Sequence, residues 1–357
     1  MKPVRPSSPR IADIEPYDPK SLPCDVFISA NESPYNIPAG IRDSIVERIS
    51  KLDFNRYPDP LASKLRDKIA AMYGLTRDNV ILGNGGDEIL FNLMLTWGGS
   101  GRTLMNFPPC FGIYQLNAEI TGTSVVNIPR VGDDFHIDVD AAVERLSKGD
   151  IDVVILTSPN NPTGCCTAVE DVRRILEASD ALVLIDEAYI EFAPEKTCRE
   201  LLDEYDNALI LHTFSKAFSA AGVRLGYYLG AKSVITEFLK VRQAYSVDAL
   251  SQVVGEEIID GRAQFAEQIS RLVEARPALI DELAAIDGVM VHPSDANFVL
   301  ATVPNAKQVW QRLFDEHSVL VRNVSGDPLL PDCLRITVGT DEENQKLLAG
   351  LRAVLAA

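Results

Sequence analysis

The sequence predicts an α/β protein with a mostly parallel, doubly wound sheet in a large domain and a second, smaller α/β domain. Between about residues 80 and 230, short apolar runs alternate with helical patterns, which is typical of successive βαβ units. Several of these runs end in polar or glycine-containing loops, at the edge where open α/β sheets place their binding sites. After residue 237 a long helical stretch precedes further short strands, which predicts the second domain.

A length of 357 residues is enough for about two domains. The proline-rich, irregular stretch 1–37 predicts an arm that packs on the small domain and on a second subunit. The large domain is predicted over 38–250 and the small domain over 251–357.

The formal net charge of −17 argues against binding to nucleic acid or to an anionic membrane surface, both of which favour a basic face. No apolar stretch has the length of a signal peptide core or of a membrane span, so we expect a cytoplasmic protein. The six cysteines lack CxxC spacing and the four histidines are scattered, so no metal site is expected.

The first helix and strand of the large domain have clear local signals. In the run 56–60, Asp59 is a good N-cap and Pro60 suits the first position of a helix that ends at Gly74. Residues 80–82 then form a short apolar strand, and the glycine-rich turn 83–88 leads into a helix. Such a turn presents backbone N–H groups to a phosphate, but a plain tight turn explains it equally well.

Three later loops carry polar or aromatic candidates. Phe111 lies in the loop 106–114, where its ring could stack on a planar ligand or simply be buried. The strand 153–156 leads into a loop that two prolines and a glycine make rigid, and this loop carries Asn161. The strand 181–185 delivers Asp186 and Tyr189 at its carboxyl end.

The most informative stretch follows the apolar run 208–211 and contains Lys216. An amine in a partly dry site loses its proton readily and can form a Schiff base with a carbonyl compound such as pyridoxal 5′-phosphate. Thr213, Ser215 and Arg224 could together hold that compound's phosphate. The alternative interpretation is a loop lysine beside a structural arginine.

In the last third of the chain, 237–283 reads as helical with a break at Pro277. The pattern then predicts strands at 289–291, 296–303, 319–324 and 334–338 and helices at 306–316 and 341–355. This unit contributes Asn297, Arg322 and Arg335. The two arginines lie on apolar strands, where a guanidinium needs an anion, which is either a ligand or a structural carboxylate.

The sequence resembles the pyridoxal-phosphate-dependent aminotransferases of fold type I, and among them most closely the histidinol-phosphate aminotransferase subfamily. The matching motifs span nearly the whole chain in order: ANESPY (30–35), RYPDP (56–60), YG (73–74), GNGGDEI (83–89), SPNNPTG (158–164), IDEAYIEF (185–192), TFSKAF (213–218), AGVRLGY (221–227), ANFVL (296–300) and LRITVGT (334–340).

The resemblance implies a role for each matching residue at the cofactor's ring. Lys216 would bind the aldehyde carbon and later carry a proton, and Asp186 would keep the pyridine nitrogen protonated. Asn161 and Tyr189 would hydrogen-bond the phenolic oxygen. Phe111 would stack on the ring, where the family usually has tyrosine.

The resemblance also implies how the cofactor's phosphate is held. The backbone at Gly86 and Asp87, together with Ser215 and Arg224, would bind it. Tyr57 would reach the same phosphate from the neighbouring subunit, so the active sites would be shared within a homodimer.

The substrates implied by the resemblance are glutamate or 2-oxoglutarate and a phosphorylated imidazole ketone. Tyr17, Asn297, Arg322 and Arg335 would bind their anionic ends. The implied reaction is a ping-pong amino transfer from L-glutamate to imidazole-acetol phosphate, which gives L-histidinol phosphate and 2-oxoglutarate in histidine biosynthesis.

Other activities remain open at this point. An aromatic amino-acid aminotransferase or a threonine-phosphate decarboxylase would use the same lysine and aspartate on the same fold. A strand ending in Asp186 and Glu187 also resembles the magnesium site of an ATPase, although the chain lacks the GK[ST] of a phosphate loop. A ligand-binding protein without catalytic activity is a further alternative.

Overall fold

The computed structural model describes residues 4–12, 14–16 and 22–356. The strands are β1 Val26–Phe27, β2 Val80–Asn84, β3 Thr103–Asn106, β4 Ser124–Asn127, β5 Val153–Thr157, β6 Leu182–Asp186, β7 Ala208–Thr213, β8 Leu225–Gly230, β9 Met290–Val291, β10 Phe298–Thr302, β11 Val319–Leu320, β12 Arg322–Asn323 and β13 Cys333–Thr337. The α-helices are α1 Ala39–Ile49, α2 Ser63–Met72, α3 Gly85–Trp97, α4 Ile113–Thr121, α5 Val139–Leu146, α6 Val169–Glu177, α7 Lys232–Val241, α8 Ala249–Gly261, α9 Ala266–Ala284, α10 Ala306–His317 and α11 Asp341–Leu355.

The central sheet has seven strands in the order β2-β8-β7-β6-β5-β3-β4. The pairs from β7 to β4 are all parallel, whereas β8 runs antiparallel to both of its neighbours. The mostly parallel sheet predicted from the alternation of apolar runs and helices is therefore confirmed.

Helices cover both faces of this sheet. Alternate residues of β5 enter different cores: Val154 packs in the core with α2, α5, α6 and α8, and Val153 packs in the core with α3, α4 and α7. Because both faces are buried, β5 and β6 are continuous apolar runs rather than alternating ones. This is why the sequence identified these two strands so directly.

The second sheet has four antiparallel strands in the order β12-β13-β10-β9 and packs with α9, α10 and α11. The N-terminal β1 pairs in parallel with β11, and Val26 and Ile28 are buried in the same core. The short segment 26–28 is thus part of this unit. The domain bounds at 38, 250 and 251 stay a prediction, and α8 packs on α1 and α2 of the larger unit.

Three local predictions were wrong. The helix expected to begin at Pro60 begins at Ser63, because Ala62 has a left-handed backbone (φ 47°) and the Asp59 carboxylate instead accepts the N–H groups of Leu61 and Ser63. Pro277 lies inside α9 without ending it, and the helical stretch is interrupted at 242–248 instead.

The strand expected over 319–324 is two strands, since β11 pairs with β1 and β12 pairs with β13. Within the described residues, no helix combines the length and the apolar character needed to cross a membrane.

Candidate active site

A cavity of about 600 Å³ lies where the parallel strands of the central sheet end and the second sheet approaches them. Six of the residues proposed for the cofactor's ring and phosphate line this cavity: Gly86, Asp87, Phe111, Asn161, Asp186 and Tyr189. Five further candidates also line it: Ser215, Lys216, Arg224, Arg322 and Arg335. The structure thus brings together residues that are as far apart in sequence as 86 and 335.

Lys216 follows the end of β7 and is half-buried in the cavity wall. Its Nζ donates a hydrogen bond to the Ala30 carbonyl oxygen at 2.9 Å and lies 5.8 Å from the centre of the Tyr189 ring. Burial, reinforced by the charge of Arg335, lowers the pKa of the Lys216 amine to about 8. The neutral amine, which nucleophilic attack on a carbonyl requires, is therefore far more populated near physiological pH than in a solvent-exposed lysine.

Asp186 is the last residue of β6 and is only 4% exposed. One carboxylate oxygen accepts the Tyr114 hydroxyl at 2.6 Å and the other accepts the Ala188 N–H at 3.0 Å. Burial raises the pKa of Asp186 to about 6, although both hydrogen bonds oppose this rise. An ionised carboxylate has about four lone-pair sites, and here it accepts two hydrogen bonds. It can therefore accept a further hydrogen bond from a cationic donor in the cavity.

The part of the cavity at the start of α3 suits an anion. Helix α3 begins at Gly85 directly after β2, and the side chain of its N-cap residue, Asn84, does not cap the first turn, so the N–H groups of that turn can bind an anion. Arg224 reaches this point with a left-handed backbone (φ 56°), and its guanidinium contacts the Asp87 carboxylate at 3.0 Å. Ser215 also lines the cavity, and its Oγ accepts the Thr213 hydroxyl at 3.0 Å.

Two glycines keep this anion-binding end open. A Cβ on Gly85, whose φ is +79°, would lie 2.7 Å from the Arg224 guanidinium. A Cβ on Gly226 would lie 3.0 Å from the backbone nitrogen of Gly86. Both separations are shorter than ordinary van der Waals contacts, so a side chain at either position would displace the groups that face the anion.

A hydrogen-bond network connects the ring of Tyr189 to the second sheet. The Tyr189 hydroxyl accepts the side-chain amides of Asn31 at 3.1 Å and of Asn161 at 3.4 Å. Asn161 in turn accepts the Arg335 guanidinium at 2.6 Å, and Arg335 also donates to the Ser29 carbonyl oxygen at 2.7 Å. The amide of Asn161 is thereby held with its N–H side toward Tyr189.

Two of the predicted residues do not line the cavity. Asn297 is 1% exposed and does not line the cavity; its amide donates to the Asn31 carbonyl oxygen at 3.0 Å, so it supports a lining residue from behind. Tyr57 is 81% exposed, stacks on Tyr245 with ring centres 4.4 Å apart, and does not line the cavity of its own chain. Tyr17 lies outside the described residues.

Tyr114 is one of the cavity-lining residues that sequence reasoning did not single out. It belongs to the first turn of α4, and its hydroxyl bonds both to Asp186 and to Thr157. An aromatic residue on the buried side of a helix gives no sequence signal of a polar role, because packing alone accounts for it. Only the position of α4 above the end of β6 reveals the contact.

The fold and the site together define the class of protein. The chain belongs to the aminotransferase class I and II family, whose model matches residues 26–351. This membership confirms the expectation of a pyridoxal-phosphate-dependent aminotransferase with the fold of type I.

Three particular proteins resemble the chain, one in sequence and two in fold. The chain is 38% identical to histidinol-phosphate aminotransferase 1 of Carboxydothermus hydrogenoformans, over 96% of this chain and 97% of the relative. The crystal structure of histidinol-phosphate aminotransferase from Sinorhizobium meliloti in complex with pyridoxal-5′-phosphate superimposes with a TM-score of 0.90 at 24% identity, over 100% of this chain and 99% of that one. L-threonine-O-3-phosphate decarboxylase from Porphyromonas gingivalis has the same fold, with a TM-score of 0.82 at 24% identity, over 93% and 100%.

Proposed function

We propose that this protein transfers an amino group from L-glutamate to imidazole-acetol phosphate, which yields L-histidinol phosphate and 2-oxoglutarate in histidine biosynthesis. Relatives named histidinol-phosphate aminotransferase match the chain over nearly its full length at 33–38% identity. The observation that carries the proposal is the cavity itself, in which Lys216 and Asp186 are lining residues together with the first turn of α3 and three arginines.

The described residues fit pyridoxal 5′-phosphate at three separate points. Lys216 offers a partly neutral amine to the aldehyde. Asp186 offers a buried carboxylate to the ring nitrogen. The first turn of α3 and Arg224 offer N–H donors to the phosphate, in a space that Cβ atoms at Gly85 and Gly226 would fill.

When bound, the cofactor supplies a ring that withdraws electrons from the substrate's α-carbon. Each residue of the chain then has one task. Asp186 holds the proton on the ring nitrogen, and Lys216 moves a proton to or from the substrate carbon through its Nζ. Asn161 and Tyr189 donate hydrogen bonds toward the phenolic oxygen, and Phe111 covers one face of the ring.

The substrate's anionic end binds at Arg322 and Arg335. These residues are direct cross-strand partners on β12 and β13, and both line the cavity. Guanidinium groups bind both carboxylates and phosphates in a forked geometry, so one pocket can accept glutamate and the phosphorylated imidazole compound in turn.

A homodimer completes the proposed site. Tyr57 is exposed and does not line the cavity of its own chain, which agrees with a role in the cavity of a partner subunit. Sedimentation should show a dimer at micromolar concentration, and Tyr57→Phe should weaken cofactor binding without changing the oligomeric state. A fully active monomer would contradict this part of the proposal. We further propose a cytoplasmic location.

Steady-state kinetics test the substrate assignment. The rate constants kcat/KM for histidinol phosphate, histidinol, phenylalanine, tyrosine and phosphothreonine should be compared with 2-oxoglutarate as acceptor. We expect histidinol phosphate to be preferred and its dephosphorylated form to lose most of the rate. A preference for the aromatic amino acids, or release of CO₂ from phosphothreonine without any keto-acid acceptor, would replace the proposal with one of those two activities.

A further inference from the structure

We propose that Tyr114 is a positioning residue for Asp186, which fixes the direction of the carboxylate so that it meets the ring nitrogen of the bound cofactor. This inference rests on the proposed function, since it assigns the cofactor's nitrogen to Asp186. The Tyr114 side chain is 1% exposed, and it lines the same cavity as Asp186.

The geometry gives Tyr114 a directed hydrogen bond rather than a general contact. Its hydroxyl lies 2.6 Å from Asp186 Oδ2 and 2.8 Å from Thr157 Oγ1. An ionised carboxylate only accepts, so the single phenolic proton of Tyr114 must go to Asp186. The Thr157 hydroxyl must then donate to the Tyr114 oxygen. The result is a chain of donors that runs from Thr157 through Tyr114 to Asp186.

The other carboxylate oxygen is fixed independently. Asp186 Oδ1 accepts the backbone N–H of Ala188 at 3.0 Å. With one donor on each oxygen, the plane of the carboxylate is set by groups from α4 and from the loop after β6. A rotation of Asp186 would break both hydrogen bonds inside a buried site, where an unmade hydrogen bond is most unfavourable.

Tyr114 also contacts the residue proposed to cover the ring. Its ring meets that of Phe111 edge-on, with centres 5.7 Å apart and planes 87° apart. The backbone N–H of Tyr114 donates to the Phe111 carbonyl oxygen at 3.2 Å. Tyr114, at the start of α4, therefore contacts both the Asp186 carboxylate and the Phe111 ring.

Other charged groups act on Asp186 as well. Burial raises its pKa, and the hydrogen bond from Tyr114 is the largest influence that lowers it. The charge of His212 on β7 also lowers the pKa of Asp186, and that of Asp87 on α3 raises it. Tyr228 on β8 lies near enough for Asp186 to raise the pKa of its phenol. None of these groups replaces the donor that Tyr114 supplies.

The first experiment uses the full-length apoprotein and needs no ligand. In protein labelled with ¹³C at aspartate carboxylates, the Asp186 signal is assigned by its loss in Asp186→Asn and is then followed against pH. Removing a donor from the carboxylate in Tyr114→Phe should make it titrate about one pH unit higher. Tyr227→Phe is the matched control, because its buried hydroxyl bonds to Tyr73 and not to Asp186. An unchanged titration in Tyr114→Phe would overturn the proposal.

The second experiment measures dissociation constants for pyridoxal phosphate and for its 1-deaza analogue, which lacks the ring nitrogen. Tyr114→Phe should weaken binding of pyridoxal phosphate about tenfold and leave binding of the analogue nearly unchanged. Thr157→Val should act in the same direction with a smaller effect. Equal losses for both ligands would mean that Tyr114 has only a structural role. If wild-type protein bound neither ligand while the titration still shifted, the proposed function would fail and the contact would stand.

Discussion

Replacing Gly85 by alanine tests whether Arg224 and the start of α3 form the phosphate-binding end of the cavity. The new Cβ would lie 2.7 Å from a guanidinium nitrogen of Arg224, so that group must retreat by about 1 Å to reach normal contact. A displaced guanidinium loses a charge-assisted hydrogen bond to phosphate that is worth about 1.5–3 kcal/mol. We therefore expect the dissociation constant of pyridoxal phosphate to rise about ten- to hundredfold.

Gly74→Ala provides the matched control. Gly74 also has a left-handed backbone (φ +67°), but apart from its chain neighbours no atom in the described part of the chain lies within 4 Å of its added Cβ. Both variants should lose roughly 1 kcal/mol of unfolding free energy because alanine is strained at positive φ. Only Gly85→Ala should lose cofactor affinity, since only its methyl group meets Arg224.

Fluorescence titration of the apoproteins with pyridoxal phosphate and with unphosphorylated pyridoxal separates the phosphate contact from the rest of the site. The Gly85→Ala defect should be large for pyridoxal phosphate and small for pyridoxal. If both ligands lose equally, or if Gly74→Ala is as defective as Gly85→Ala, then Arg224 is not the phosphate ligand and the reasoning fails.

Three further changes give distinct readouts. Lys216→Ala should abolish turnover and remove the yellow absorbance band that borohydride bleaches in the wild-type protein; retained turnover would contradict the assignment. Asp186→Asn should lower kcat at least about a hundredfold, and a mild effect with an unchanged melting temperature would exclude it as the ring-nitrogen partner. His212→Gln should lower the unfolding free energy by about 3 kcal/mol, because it leaves the Glu187 carboxylate, 3.2 Å away, buried without its cation. Burial disfavours the charged imidazole, but Tyr73 and the nearby glutamates raise the pKa of His212 well above 6.5. The difference in unfolding free energy between the wild-type protein and His212→Gln should therefore be complete below about pH 6.5 and should shrink at alkaline pH, as the folded protein loses this proton. Urea unfolding at several pH values measures it.

The local sequence predicted the elements whose signal is contained in a few consecutive residues. The strands at 153–157, 182–186 and 208–213 are buried on both faces, so their apolar runs stand out without knowledge of their neighbours. Because parallel strands end at one edge of the sheet, the polar residues that follow them had to lie near one another. Lys216 and Asp186 could be assigned to one site on this basis and on the family motifs.

Elements that depend on a distant partner were predicted poorly. β1 is two residues long and exists because β11, nearly 300 residues later, pairs with it. The split between β11 and β12 has the same cause, since each pairs with a different strand. A continuous apolar pattern cannot report such a change of partner, because both strands need the same kind of side chain.

The chain by itself determined which chemical groups the active site contains: an amine, a carboxylate, an amide, arginines and a glycine-rich helix start. Only the tertiary structure decided how they are held. It buried Asn297 behind Asn31 and made Arg322 and Arg335 neighbours across one strand pair. It also placed the Tyr114 hydroxyl at the end of β6, where it donates a hydrogen bond to Asp186. Side-chain chemistry is a local property of the sequence, whereas the direction of a hydrogen bond depends on elements that meet only when the chain is folded.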